Sequence, residues 1–216
     1  MKILITAGPT REAIDPVRYL TNRSSGKMGY ALAAAAVHKG HDVLLISGPT
    51  CLDVPTGIDF LPVESAAEMF DAVKHWIGRM DVAIFAAAVA DYRPATVPEH
   101  KIKKTGETLT LELVRNPDVL GSARREFAFT GLLVGFAAET ENLEANARDK
   151  LTRKGCDLII ANDVSRPDIG FDSNDNEVLL VHPDHAVTLP KADKEHLAFH
   201  ILEAVLDLPS PTLNTP

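Results

Sequence analysis

Residues 2–7, Lys-Ile-Leu-Ile-Thr-Ala, run without interruption into Gly8-Pro9-Thr10. A continuous apolar run closed by turn residues is what a parallel strand buried on both faces should look like, whereas a strand with one wet face would alternate. The signature recurs at 42–47 (Asp-Val-Leu-Leu-Ile-Ser), 81–88 (Asp-Val-Ala-Ile-Phe-Ala-Ala-Ala), 131–137 and 157–161 (Asp-Leu-Ile-Ile-Ala). Helical patterns lie between these runs. Residues 65–78 place Met69, Phe70, Val73, Trp76 and Ile77 on one stripe, and Ser65 with Glu68 forms a capping box. Residues 27–39 are small and apolar, suited to lying close on a sheet. Residues 140–154 put Leu143, Ala147 and Leu151 on one face and end at Gly155. Strands alternating with helices predict an α/β fold: a Rossmann-like, doubly wound, mostly parallel sheet with helices on both faces.

Two stretches interrupt the alternation. Residues 92–107 carry Pro94, Pro98 and Gly106 around Lys101, Lys103 and Lys104, and read as an exposed flap loop. Residues 163–175 are a polar loop rich in Asp and Asn. Beyond it, 176–189 alternates around His182-Pro183-Asp184-His185 and predicts a small edge β-hairpin. A last helix is expected at 192–207. The expected organisation is one domain over 1–208, with 209–216 read as a disordered tail.

The 216 residues are 45% hydrophobic and carry a net charge of -8, which excludes a nucleic-acid surface over the whole molecule. No apolar run approaches the roughly 20 residues that a membrane helix needs, so no membrane association is expected. Cys51 and Cys156 form neither a CxxC pair nor a disulfide framework, and a reducing cytoplasm fits them.

Several local patterns point to an anionic ligand. Asn22-Arg23-Ser24-Ser25-Gly26-Lys27-Met28-Gly29 opens a helix with hydroxyls and glycines, either as an anion seat or simply with Ser24 or Ser25 as the N-cap. Ala86-Ala87-Ala88-Val89-Ala90-Asp91 leaves a buried strand at its carboxyl end, where ligands sit in open α/β sheets, although helix–sheet packing would also need small residues. Lys101, Lys103 and Lys104 in the flap, and the i, i+4 pair Lys150 and Lys154, concentrate cations on an acidic protein. Each charge-assisted bond to a triphosphate would contribute roughly 1.5–3 kcal/mol. Asn116-Pro117-Asp118 marks a helix start, with Asn116 as N-cap and proline at the first helical position. There is no GxGxxG after the first strand, no Walker A sequence, and no lysine four residues after a tyrosine. These absences weaken a nicotinamide-dependent reductase, and a non-catalytic nucleotide-sensing module stays open beside an enzyme.

Taken together, Ile5–Glu12, Ile14–Tyr19, Asn22–Gly29, Ala87–Arg93, Lys101–Lys104, Asn116–Asp118, Gly135–Thr140 and Ala161–Val164 resemble, in order, the blocks of bacterial phosphopantothenoylcysteine synthetases. The resemblance implies a ligase of coenzyme A synthesis. In that family the carboxylate of 4'-phosphopantothenate attacks the α-phosphate of CTP (ATP in some relatives) with Mg2+, and L-cysteine then displaces CMP through its amine. By the same resemblance, Lys101 serves the first half-reaction and Asn22 handles the acyl intermediate. Phe85, Ala86, Ala87, Asp91, Lys101, Pro117, Asp118, Val119, Leu120, Phe136, Lys150 and Lys154 match nucleotide-contacting positions. Arg18 and Ala88, with Asn22, match positions near the pantothenate substrate. Mg2+ is expected to be held mainly by the triphosphate. A homodimer with an active site drawn from both subunits is implied as well. Because the first strand begins at Met1, the fused flavin-dependent decarboxylase of many relatives is expected to be missing, or to exist as a separate protein.

Overall fold

The five apolar runs become the middle of one sheet. They form β1 (Lys2–Ala7), β4 (Asp42–Ser47), β6 (Val82–Phe85), β9 (Leu132–Glu139) and β10 (Leu158–Asp163). To these the chain adds β5 (Asp59–Pro62) at one edge and the hairpin β11 (Asp175–Val181) and β12 (Ala186–Asp193) at the other. The computed structural model describes residues 1–104, 106–166, 168–169 and 173–209, and among them the sheet has eight strands in the order β12-β11-β10-β9-β6-β1-β4-β5. The six from β10 to β5 run parallel, and β11 and β12 are antiparallel. Successive strands move outward from β1 in one direction, then outward from β6 in the other, so the topological switch lies between β1 and β6.

Both faces of the strands are covered, which is why their sequences do not alternate. Ile3, Ile5 and Ala7 pack with Leu32, Ala33 and Ala36 of α1 (Lys27–His38) and with Leu197 and Ile201 of α5 (Lys194–Leu206). Leu4 and Ile46 pack on the opposite face with Met69 and Val73 of α2 (Ala66–Trp76), Val119 of α3 (Val119–Arg125) and Ala147 of α4 (Leu143–Lys154). Helix α1 lies directly on the sheet, because a Cβ at Gly29 would stand 2.5 Å from Ala7 Cβ. The α2 capping box forms with a shifted return bond: Ser65 Oγ accepts from Glu68 N at 3.2 Å, and Glu68 Oε2 accepts from Glu64 N at 2.8 Å. Gly155 takes the left-handed conformation (φ 66°) that ends α4.

Other expectations need correction. Neither Ser24 nor Ser25 caps α1; its N-cap is Gly26 at φ 80°, with no side-chain cap bond. Asn116 does not cap α3 either. Asp118 does, accepting from Gly121 N at 2.9 Å, so Pro117 precedes the helix instead of opening it. The run 81–88 stops being a strand at Phe85. Short ribbons went unread: β2 (Arg11–Ala13) pairs with β3 (Tyr19–Thr21), and β7 (Tyr92–Pro94) pairs with β8 (Leu113–Arg115). The first residues of the expected flap loop therefore belong to a strand. Part of the 163–175 loop and nearly all of the 209–216 tail lie outside the described residues.

Candidate active site

Where β6 ends, the chain does not turn back into a helix but stays alongside the loop leaving β1. Ala86 N donates to Thr6 O (3.1 Å), Ala88 N to Gly8 O (2.9 Å), Thr10 N to Ala88 O (3.2 Å) and Ala90 N to Thr10 Oγ1 (3.0 Å). Protein therefore occupies the switch point between β1 and β6. Gly8 is packed so closely that a Cβ there would meet Gly48 O at 2.8 Å. That is the crevice a dinucleotide pyrophosphate uses in a Rossmann fold, and filling it gives a physical reason for the absent glycine fingerprint.

The open space lies next door, over the ends of β6 and β9. This cavity of about 460 Å³ is bounded by Phe85, Ala87, Asp91, Pro117, Asp118, Val119, Leu120, Phe136, Lys150 and Lys154, all expected from the sequence. Thr6, Tyr92, Arg115 and Arg153 line it too. Its floor is apolar, made by Phe85, Ala87, Val119, Leu120 and Phe136. One wall is cationic, with Lys150, Arg153 and Lys154 from α4 and Arg115 from the end of β8. Apolar floor and cationic wall together suit a base joined to phosphates.

Charges in the wall are partly spoken for. Asp118, besides capping α3, forms ion pairs with Lys154 and, at 3.2 Å, with Arg125. Burial works against the Asp118 carboxylate, but the bonds from Lys154 and Gly121 outweigh it and lower its pKa. Lys150 behaves differently. Burial pulls its ammonium down from the ordinary lysine value, and Lys154 adds to the fall against the opposing Glu139. A polyanion arriving here should push it back up. Binding of a polyanion such as a nucleoside triphosphate, at an alkaline pH below the ordinary lysine value, is thus expected to take up protons, seen as a buffer-dependent enthalpy in calorimetry. Equal enthalpies in buffers of different ionisation heat would contradict this.

The remaining expected residues stand elsewhere. Ala86 and Ala88 belong to the same segment but do not line the cavity. Asn22 Nδ2 donates to Ala88 O at 2.9 Å, which places it against the backbone next to Ala87. Lys101 and Arg18 border a separate depression of about 680 Å³ with Ile102, Lys103, Lys104 and 106–109. Within this chain, Lys101, Asn22 and Asp91 therefore share no common cavity among the described residues. Among the described residues no cluster of three or more His, Cys, Asp or Glu side chains forms a metal site. Asp91 and Asp118 are the carboxylates this cavity has, and magnesium usually takes one or two together with phosphate oxygens. Burial pushes the Cys156 thiol up to about 12, so it is no nucleophile.

Sequence reasoning missed two kinds of residue. Arg153 was hidden because the i, i+4 pair drew attention to Lys150 and Lys154, though it follows Lys150 by three and shares their helix face. Asn116 does not act as the expected cap; its Nδ2 donates to Ala90 O (2.8 Å) and its Oδ1 accepts from Arg93 Nη1 (3.0 Å), tying the alanine segment to the β8 end. Nothing local signals such a tie.

Similarity to known proteins accords with this geometry. A model of the DNA/pantothenate metabolism flavoprotein C-terminal domain matches residues 1–208. The chain is 50% identical over 208 residues to the coenzyme A biosynthesis bifunctional protein CoaBC of Vibrio vulnificus (strain YJ016), a match covering 95% of this chain and 52% of that protein. With the CoaBC of Bacillus subtilis (strain 168) it shares 49% over 215 residues, covering 97% of this chain and 52% of the other. The crystal structure of the C-terminal domain of CoaBC superposes with a TM-score of 0.80 at 43% identity, covering 94% of this chain and 93% of that one. The chain thus spans about half the length of the curated relatives it matches. This corrects the expected form without a fused decarboxylase. The relatives are bifunctional proteins about twice as long, and a first strand at Met1 says nothing about what precedes it. No helix among the described residues is long and apolar enough to cross a membrane.

Proposed function

The chain belongs to the DNA/pantothenate metabolism flavoprotein C-terminal domain family, and from that membership we propose that it is a phosphopantothenate–cysteine ligase of coenzyme A biosynthesis. The carrying observation is the cavity at the ends of β6 and β9, where an apolar floor meets Lys150, Arg153, Lys154 and Arg115. CTP binds there with its base over the floor and its phosphates along the cationic wall. The carboxylate of 4'-phosphopantothenate attacks the α-phosphorus, pyrophosphate leaves, and an acyl-cytidylate remains. The amine of L-cysteine then attacks the acyl carbon, loses its proton, and expels CMP. Asp91, the lining carboxylate without an ion-pair partner among the described residues, would help hold a magnesium ion brought by the triphosphate, which would supply neutralisation of phosphate charge. Much of the acceleration comes from holding carboxylate and phosphorus in line, an effect worth up to roughly 7–11 kcal/mol.

Lys101 opposes the charge that builds on the α-phosphate. Asn22 holds the acyl intermediate for the second step. Because these residues and the CTP cavity are apart within one chain, the reading includes a homodimer that completes the site. Val17, Tyr19, Tyr92, Leu113 and Val114 support it: each is exposed, and they sit on or beside the two small ribbons, whose strands β2 and β7 are neighbours. A second copy would cover that apolar surface.

The test is release of pyrophosphate from CTP in the presence of 4'-phosphopantothenate without cysteine. Release with CTP, and less with ATP, is expected; none with either nucleotide would end the proposal. Asn22→Asp replaces the amide donor facing Ala88 O with an acceptor. It should leave pyrophosphate release within about threefold while lowering formation of the cysteine adduct by about 100-fold, as loss of a single oriented donor does. Equal losses in the two assays would count against this division of labour.

A further inference from the structure

Among the described residues Lys101 forms no ion pair, yet the residue after it is firmly held. Asp15 lies in the turn between β2 and β3, with its side chain fully buried. Its Oδ1 accepts from Val17 N and Arg18 N, both at 2.9 Å. Its Oδ2 accepts from Arg18 Nε (3.0 Å), Arg18 Nη2 (2.5 Å) and, 87 residues away in sequence, Ile102 N (3.1 Å). Arg18 Nη2 also donates to Ile102 O at 3.1 Å. One ion pair thus grips both backbone groups of Ile102, the amide through the carboxylate and the carbonyl through the guanidinium. A buried carboxylate must be compensated in this way, and with five donors around it the Asp15 group stays ionised far below the usual carboxylate range, chiefly through Arg18. The turn itself is closed by Ile14 N on Arg18 O at 2.8 Å, so the grip has a rigid base.

We propose that Asp15 is a positioning residue for the first half-reaction: with Arg18 it clamps the flap at Ile102 and so determines where Lys101 stands. The proposal rests on the ligase reading above, but adds to it a residue that touches neither nucleotide nor reacting atoms. The second, independent mark is burial. A carboxylate needed only to shape a surface turn would not require enclosure beneath a segment 87 residues distant. Its replacement by an amide keeps the shape but supplies no negative charge for Arg18, and puts an N–H2 group among donors.

The experiment uses the full chain with Asp15→Asn and three readouts: tryptic cutting after Lys101, Lys103 or Lys104, pyrophosphate release, and CTP affinity. Loss of the clamp is expected to speed flap cutting by about tenfold, since cleavage follows the population of the open form. Pyrophosphate release should fall by about tenfold or more, because displacing a catalytic group by an ångström is costly. CTP affinity should stay within about twofold, as Asp15 is outside that cavity. Unchanged flap cutting in a natively melting variant would overturn the clamp, and so would faster cutting with undiminished release. If Asp15→Asn does not fold, Ile102→Pro removes the clamped N–H without altering Asp15 or Arg18, and Ile102→Ala, which keeps it, serves as the control. For this pair only cutting after Lys103 or Lys104 is compared, because a Lys–Pro bond resists trypsin; the two Ile102 variants behaving alike in that cutting, in pyrophosphate release and in CTP affinity would likewise overturn it. Failure of the wild-type chain to release pyrophosphate removes the ligase reading itself, a result distinct from an active wild type whose flap ignores Asp15.

Discussion

Lys101→Gln should lower 4'-phosphopantothenate-dependent pyrophosphate release by about 10²- to 10³-fold and leave the affinity for CTP within about twofold. The substitution keeps a hydrogen-bond donor on a side chain one bond shorter but removes the charge. In the structure Lys101 stands outside the cavity assigned to CTP, in the neighbouring depression with Arg18. It therefore adds little to holding the nucleotide in the ground state. On the proposed mechanism its charge matters when negative charge gathers on the α-phosphate, and an interaction made only then appears in the rate and not in binding. Single-turnover release and equilibrium CTP binding separate the two. A parallel loss of affinity and rate would mean that Lys101 simply helps bind triphosphate.

Gly29→Val should destabilise the fold by about 3 kcal/mol, the upper end of ordinary overpacking, and lower the melting temperature by about 10 °C. Helix α1 crosses β1 with no room for a side chain: a Cβ at Gly29 would stand 2.5 Å from Ala7 Cβ and 3.2 Å from Ala7 Cα. These are a rigid strand's atoms, so the helix must lift. Lifting it also disturbs Leu32, Ala33 and Ala36, which seal that face of the sheet. Gly78→Ala is the control, because a Cβ there meets nothing within 4 Å and its φ is not positive. Gly29→Val melting like Gly78→Ala would show that α1 does not lie where the structure has it.

Legibility followed the length and environment of each element. β1, β4, β9 and β10 were read from their apolar runs because burial on both faces writes a pattern six or more residues long. β5 was invisible: four residues at a sheet edge, three of them exposed, ending in Pro62. The ribbons β2–β3 and β7–β8 have three residues per strand, and pairing rather than hydrophobic pattern makes them. Among candidate site residues, Phe85, Ala87, Pro117–Leu120, Phe136, Lys150 and Lys154 do meet around one cavity. Asp15 was passed over, although it stands in one of the blocks quoted from the sequence, because its partner Ile102 is in another.

From the residues alone came the parallel sheet, its helical layers, and the expectation of an anionic ligand at the strand ends, since periodicity and charge are local properties. The rest depended on which distant segments meet. Folding filled the β1–β6 crevice with residues 8–10 and 86–90, moved the open cavity to β6 and β9, and set Lys101 in a different depression. Such outcomes turn on hydrogen bonds between residues roughly 80 positions apart, like Ala90 N to Thr10 Oγ1 and Ile102 N to Asp15 Oδ2, and no window along the chain contains both partners.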